Sequence, residues 1–197
     1  MPHRKTIKHY HEPGDFHELT FSCYRRMPLL TNDAWRGHFA RGLDEAVAAG
    51  RLHLVAFVLM PEHVHLLLWP TLPDTTAESI SRFLAAVKVR TSQAVKADLE
   101  VSGSRLLSRL TIRERPGRMV FRYWQEGPGY DRNLQTEEAV TASTEYLHLN
   151  PVRRGLCRSA VDWRWSSARW YASDGAIVDA DLPTIHGPPS ELFRPCR

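Results

Sequence analysis

Hydrophobic positions along the chain alternate between two periods, and the changes of period mark the elements. Phe16 to Tyr24 (FHELTFSCY) alternates and is rich in β-formers, which predicts a strand. Thr31-Asn32-Asp33 then offers a helix N-cap ahead of Trp35, Phe39, Leu43, Ala46 and Val47, apolar at helical spacing until Gly50 stops the run. Arg51 to Met60 (RLHLVAFVLM) and His63 to Trp69 (HVHLLLW) are apolar runs separated by Pro61-Glu62, the pattern of two adjacent strands joined by a tight reversal.

A second helix is expected from Thr75, with Glu78 three residues on completing a capping box and Ile80, Phe83, Leu84, Val87, Ala94 and Val95 forming the buried stripe. Glu100 to Gly117 shows no period and reads as a basic loop. Arg118 to Trp124 and Tyr130 to Leu134 read as short strands around a Gly127-Pro128-Gly129 turn. Thr136 caps a third helix with Glu137 and Glu138 in its first turn, and Pro151 is expected to end it near Asn150. The order β, α, β, β, α, β, α around a central antiparallel hairpin predicts an α+β fold, a ferredoxin-like sandwich with a central antiparallel sheet and helices on one face. Residues 173–197, with Pro183, Pro188, Pro189 and Pro195, are expected to form an extended or disordered C-terminal tail behind a domain spanning 1–172.

Length and composition place few limits on this picture: 197 residues, 43% hydrophobic and 24% charged, suit one globular domain. The three cysteines, Cys23, Cys157 and Cys196, are widely spaced and lack a Cys-x-x-Cys pair, which disfavours a disulfide framework or cysteine zinc knuckle. With no run near the ~18 apolar residues of a membrane helix and no apolar signal core, the expectation is a soluble, cytoplasmic protein without a membrane partner.

The formal charge is only +4, but it is unevenly distributed. Gly103 to Arg122 holds Arg105, Arg109, Arg113, Arg115, Arg118 and Arg122 against the single acid Glu114. Pro151 to Trp170 holds Arg153, Arg154, Arg158, Arg164 and Arg169 against Asp162, interleaved with Trp163, Trp165 and Trp170. Arginine forks match phosphate oxygens and stack on bases, although a solvated surface balanced by acids elsewhere fits the same pattern.

Two short motifs carry candidate chemistry. His63 and His65 are two apart on a strand, so both imidazoles leave one face ~6.6 Å apart along the chain, either as a polar face or as ligands of one ion. The strongly apolar strand around them favours a ligand that satisfies the rings. Tyr146 and Asn150, in Tyr146-Leu147-His148-Leu149-Asn150-Pro151, lie one helical turn apart on one face. An amide oxygen can ligate Mg²⁺ or Mn²⁺ and a neighbouring phenol can attack phosphate, while packing against the sheet and capping of the helix end would account for the same two residues.

Met60-Pro61-Glu62-His63-Val64-His65-Leu66-Leu67-Leu68 resembles the signature strand of the HUH single-strand DNA endonucleases, in which two histidines flank one hydrophobic residue. Trp124-Gln125, Tyr130-Asp131, Tyr146 to Arg153 and Asp162-Trp163-Arg164-Trp165-Ser166-Ser167 resemble, in that order, the single-tyrosine transposases of insertion sequences, above all the REP-associated tyrosine transposases. The resemblance covers roughly Phe16 to Trp170. It implies cleavage and rejoining of single-stranded DNA at or near hairpins, with His63, His65 and Asn150 as metal ligands, Tyr146 as nucleophile and Mg²⁺ or Mn²⁺ as the ion. The chain departs from the pattern at Glu62, where many relatives carry Asn, and in the arginine-rich insert from Val101 to Arg118; neither departure is expected to touch the chemistry.

The residue types suit that reaction. A divalent ion held by two imidazoles and an amide oxygen neutralises charge developing on phosphate, and a tyrosine, ordinarily protonated at neutral pH, conserves the phosphoester as a 5′-phosphotyrosine that a 3′-OH can attack in turn. Tyr130 competes as nucleophile but has Leu134, not a carboxamide, four residues on. The arginines named from 105 to 122, with Arg153 and Arg154, are expected to hold phosphates, and Trp170 to stack on bases; Trp163 and Trp165 suit core packing equally well. The expected partner is single-stranded DNA with hairpins, bound by a monomer or a homodimer. Two other readings stand beside this one: a catalytically idle hairpin-DNA-binding protein, and a water-using zinc hydrolase, which lacks additional Asp or His ligands near the histidine pair.

Overall fold

The computed structural model describes residues 14–72, 76–127 and 129–189. Four strands, β1 (Phe16–Ser22), β2 (Leu52–Leu59), β3 (His63–Pro70) and β6 (Tyr130–Leu134), form an antiparallel sheet in the order β2-β3-β1-β6. This is the ferredoxin-like arrangement, and it follows from the strand signals: Met60 N donates to His63 O at 2.9 Å, closing the central hairpin at Pro61-Glu62. Helices α1 (Asp33–Gly50) and α2 (Ala77–Val101) pack together on one face, over Leu19, Phe21, Leu54, Phe57, Val64 and Leu66.

The third long helix, α4 (Glu137–Arg153), lies on the other face, where Val140 and Leu147 meet Phe16, Val58, Met60, Leu67 and Leu134. The expectation of helices on one face therefore holds for α1 and α2 only. Strand β3 is buried on both faces, which explains its unbroken apolar run. Pro151 lies inside α4 rather than ending it. A buried proline in the last turn removes one backbone donor where the helix is already ending, and Arg154 N still reaches Asn150 O at 3.1 Å.

Expected caps appear at Asn32, whose side chain accepts from Trp35 N, and at Thr136, which accepts from Ala139 N. For α2 the capping box is Thr76 with Ser79; the expected cap, Thr75, lies outside the described residues, as does Pro128 of the expected turn. The arginine-rich stretch is not a loop. Helix α2 runs on to Val101, and Ser104 then caps α3 (Arg105–Leu110), followed by a separate hairpin of β4 (Thr111–Arg115) and β5 (Arg118–Phe121). Arginines at most outward positions masked a period carried only by short apolar residues such as Ile112 and Val120, which pair across the hairpin.

Trp165 to Ser167 run beside β2, with Leu59 N donating to Trp165 O at 2.8 Å and Ser167 N to Phe57 O at 3.0 Å, and the short helix α5 (Ala168–Ala172) follows. Beyond it the chain is irregular, yet residues up to 189 are docked: Thr184 N donates to Asp44 Oδ1, His186 N to Leu54 O, and Leu182 and Ile185 pack on the core. Together these segments cover an edge strand that would otherwise expose its ladder groups. The remainder of the expected tail, 190–197, lies outside the described residues. No helix is long and apolar enough to cross a membrane among the described residues.

Candidate active site

The alternation of β3 sends Val64, Leu66 and Leu68 into the α1/α2 core and turns His63 and His65, with Leu67, toward α4. On α4, Tyr146 and Asn150 face the same strand. Asn150 Nδ2 lies 3.1 Å from His65 Nε2, and the Tyr146 ring stands at 90° to the His65 imidazole with centroids 5.9 Å apart. The four residues singled out in two distant stretches of sequence thus meet. Both histidines and Asn150 are buried, whereas Tyr146 is 44% exposed, a combination that leaves the phenol open to a large substrate.

Each imidazole is held at Nδ1. Glu62 Oε1 accepts from His63 Nδ1 at 3.0 Å, and Thr20 Oγ1 lies 2.7 Å from His65 Nδ1. The two Nε2 atoms lie 3.0 Å apart, and in the tautomers in which both Nδ1 atoms donate, their lone pairs converge as a shared cation requires. Two donors ~2.1 Å from an ion lie ~3.0 Å apart at an octahedral right angle and ~3.4 Å apart at a tetrahedral angle. The observed spacing is short enough for both nitrogens to reach one divalent ion. A half-turn of the Asn150 amide brings its Oδ1 to the same point. Among the described residues no three His, Cys, Asp or Glu side chains gather as a metal site.

Electrostatics keep the imidazoles neutral, the state that ligation needs. Burial and the neighbouring His63 lower the His65 pKa to about 4. Burial likewise lowers that of His63, against the pull of Glu62. Burial alone would raise the Glu62 carboxyl; the Arg154 hydrogen bond, together with the charges of His63 and Arg154, holds it below its ordinary value. Glu62 was not expected to touch the chemistry, and the structure corrects that: it orients a candidate ligand and is itself anchored by Arg154.

The expected phosphate-binding arginines divide into three groups. Arg105, Arg109, Arg113 and Arg115 are exposed and make no ion pair among the described residues. Arg118 pairs with Glu114, and Arg122, mostly buried, bridges Glu114 and Glu126. Arg153 is placed at the site, its guanidinium 5.1 Å from the centre of the Tyr146 ring, while Arg154 is engaged by Glu62. Trp165 is a core residue, and Trp163 donates to Leu59 O. Trp170 is half-buried, with Gly175 and Gly187 of the C-terminal segment pressed against its ring. His148, on the far side of α4 from Tyr146, contacts Ser167 Oγ at 2.8 Å, and burial lowers its pKa to about 4.

Sequence reading missed Thr20 and Arg26, which act on the imidazoles, and Glu18, Arg132 and Ser143, which line the cavity beside Tyr146 and His65. Arg26 has a positive φ of 53°, as does Arg25 before it, and its charge opposes protonation of His63. The available signal for these two was a pair of arginines directly after β1, the strand antiparallel to the histidines. Tyr130, the competing nucleophile, lines the same cavity as Tyr146.

No family model matches the chain, and no curated protein matches it in sequence. The solved structure of a REP-associated tyrosine transposase bound to a REP hairpin aligns with a TM-score of 0.63 over 99% of this chain and 100% of that one, at 16% identity. A proposed transposase from Deinococcus radiodurans R1 aligns with a TM-score of 0.42 over 75% of this chain and 97% of that one, at 21% identity. The first of these shows that the chain shares the fold of that transposase along nearly its whole length.

Proposed function

We propose that this protein is a REP-associated tyrosine transposase-like enzyme of the HUH class that cuts and rejoins single-stranded DNA at or near hairpins, using Tyr146 as nucleophile and Mg²⁺ or Mn²⁺ held by His63, His65 and Asn150. The observation that carries the reading is the convergence of two Nε2 atoms 3.0 Å apart with the Asn150 amide, beside an exposed tyrosine on the facing helix. The shared fold supports it, and the neighbour's hairpin suggests the kind of DNA. The bound ion supplies Lewis-acid neutralisation of phosphate charge.

The chain's own residues do the rest. The Tyr146 hydroxyl passes its proton to water and its oxygen attacks phosphorus; the bond from phosphorus to the 3′ oxygen breaks, and that oxygen takes a proton from water and leaves as a 3′-hydroxyl. The product is a 5′-phosphotyrosine, whose ester energy is kept for a later 3′-hydroxyl to reverse the step. Arg153, stacked on the Tyr146 ring, places a fixed positive charge beside the forming ester. Helix α4 holds Tyr146 in register with Asn150, so nucleophile and ligand move as one body.

Incubation with a labelled single-stranded hairpin and Mn²⁺ tests this. A covalent adduct that survives denaturation, persists in Tyr130→Phe and disappears in Tyr146→Phe and His65→Ala is the expected result. Tight binding without cleavage would instead support an idle hairpin binder, and a free 5′-phosphate without adduct a hydrolase.

A further inference from the structure

Beside Tyr146 and His65 opens a cavity of about 440 Å³, bounded by α4 and the β1–β6 edge of the sheet. Its floor carries Glu18, a carboxylate only 6% exposed in the middle of β1. Strand register sets Arg132 of β6 opposite it, and Arg132 Nη2 donates to Glu18 Oε2 at 2.6 Å while Ser143 Oγ of α4 donates to the same oxygen at 3.0 Å. Among the described residues Glu18 Oε1 accepts no hydrogen bond, and the other guanidinium nitrogens of Arg132 donate none. Oε1 is not sealed from solvent, so it is reachable from the cavity that Glu18 lines. Tyr130 and Tyr146, 47% and 44% exposed, supply aromatic walls.

We propose that this cavity is a base-reading pocket, in which an unpaired nucleobase adjoining the bond to be cut stacks with Tyr130 and Tyr146 and is identified by Glu18 and Arg132. The proposal rests on the strand-cleaving function for its substrate. The size lies within the range of small-ligand pockets, and the combination of flat aromatic faces with a few convergent polar groups is how extruded bases are held. The polar groups also choose among bases. A carboxylate with a free oxygen asks for N–H donors, and a neighbouring guanidinium asks for an acceptor. Guanine presents N1–H and N2–H₂ side by side with O6 next to them; adenine and cytosine offer one amino donor each, and thymine a single N3–H. Guanine is therefore the preferred occupant.

Ten-residue oligothymidylates carrying one central guanine, adenine or cytosine, titrated into the metal-free full chain with fluorescence anisotropy as the readout, test the pocket without relying on cleavage. The guanine oligomer should bind about 10-fold tighter than the others, as for one good bidentate base contact. Glu18→Gln should shrink that preference to within about 2-fold. Tyr130→Ala, at an exposed position that leaves the buried carboxylate intact, should weaken the guanine oligomer about 5-fold through lost stacking and serves if Glu18→Gln fails to fold. Equal affinity for the four oligomers, or a guanine preference untouched by both variants, overturns the pocket. Adduct formation at Tyr146 without base preference sinks the pocket alone, and base preference without adduct sinks the cleavage function alone.

Discussion

Removing Glu62 should loosen the metal site without unfolding the protein. Its Oε1 accepts from His63 Nδ1 at 3.0 Å and from Arg154 Nη1, and the residue is 8% exposed, so water replaces it poorly. In Glu62→Ala the His63 ring loses the acceptor that fixes its tautomer and its aim. Loss of such an outer partner lowers metal affinity about 10- to 100-fold, or about 1.4 to 2.8 kcal/mol. Arg154 acts through Glu62, so Arg154→Met should cost only a few-fold, and the double variant should bind no worse than Glu62→Ala, a non-additivity expected of residues in one network. Thr20→Val, which removes the corresponding partner of His65, should weaken binding by a comparable factor. Calorimetric or EPR titration of Mn²⁺, with thermal melts as a control for folding, measures all four. A folded Glu62→Ala protein that binds Mn²⁺ within 2-fold of wild type would refute the reasoning.

Three further outcomes follow from the structure. Gly129 has φ +86° and a Cβ there would lie 2.3 Å from Thr20 O, so Gly129→Ala should cost about 2 to 4 kcal/mol in denaturant unfolding, and a loss under 0.5 kcal/mol would contradict that close approach. Burial lowers the Lys88 pKa from 10.5 to about 8, so the fold carries the cost of a protonated amine below pH 8 and is relieved of it as pH rises toward 10.5. Wild type should accordingly gain stability relative to Lys88→Met across that interval, and a flat difference would count against burial as the cause. Arg113→Gln with Arg115→Gln should reduce the slope of log K against log salt for single-stranded DNA by about 1.4 if both contact phosphate, and an unchanged slope would remove them from the interface.

Much of this was legible because β3 is strongly patterned and the ends of α4 are well marked. The apolar run of β3 with two histidines on one face, and Tyr146 one turn from Asn150, need only strand and helix periods to be placed. The side of the sheet that α4 covers was not legible. Its buried face mixes Ser143, Thr144 and Asn150 with Val140 and Leu147, so its apolar stripe is weak. Polar partners were hidden for another reason. Glu62 meets Arg154 across 92 residues and Glu18 meets Arg132 across 114, and no local pattern marks such pairs. The arginine-rich hairpin was missed because its charged outward positions dominate elements five and four residues long.

The central claim is that one cation joins His63, His65 and Asn150 beside Tyr146. Anomalous scattering from a Mn²⁺-soaked crystal tests it most directly. The account predicts a single strong peak within about 2.4 Å of both Nε2 atoms and of the Asn150 amide oxygen, abolished in His63→Ala. A peak bound elsewhere, with the two imidazoles still in mutual contact, would contradict it.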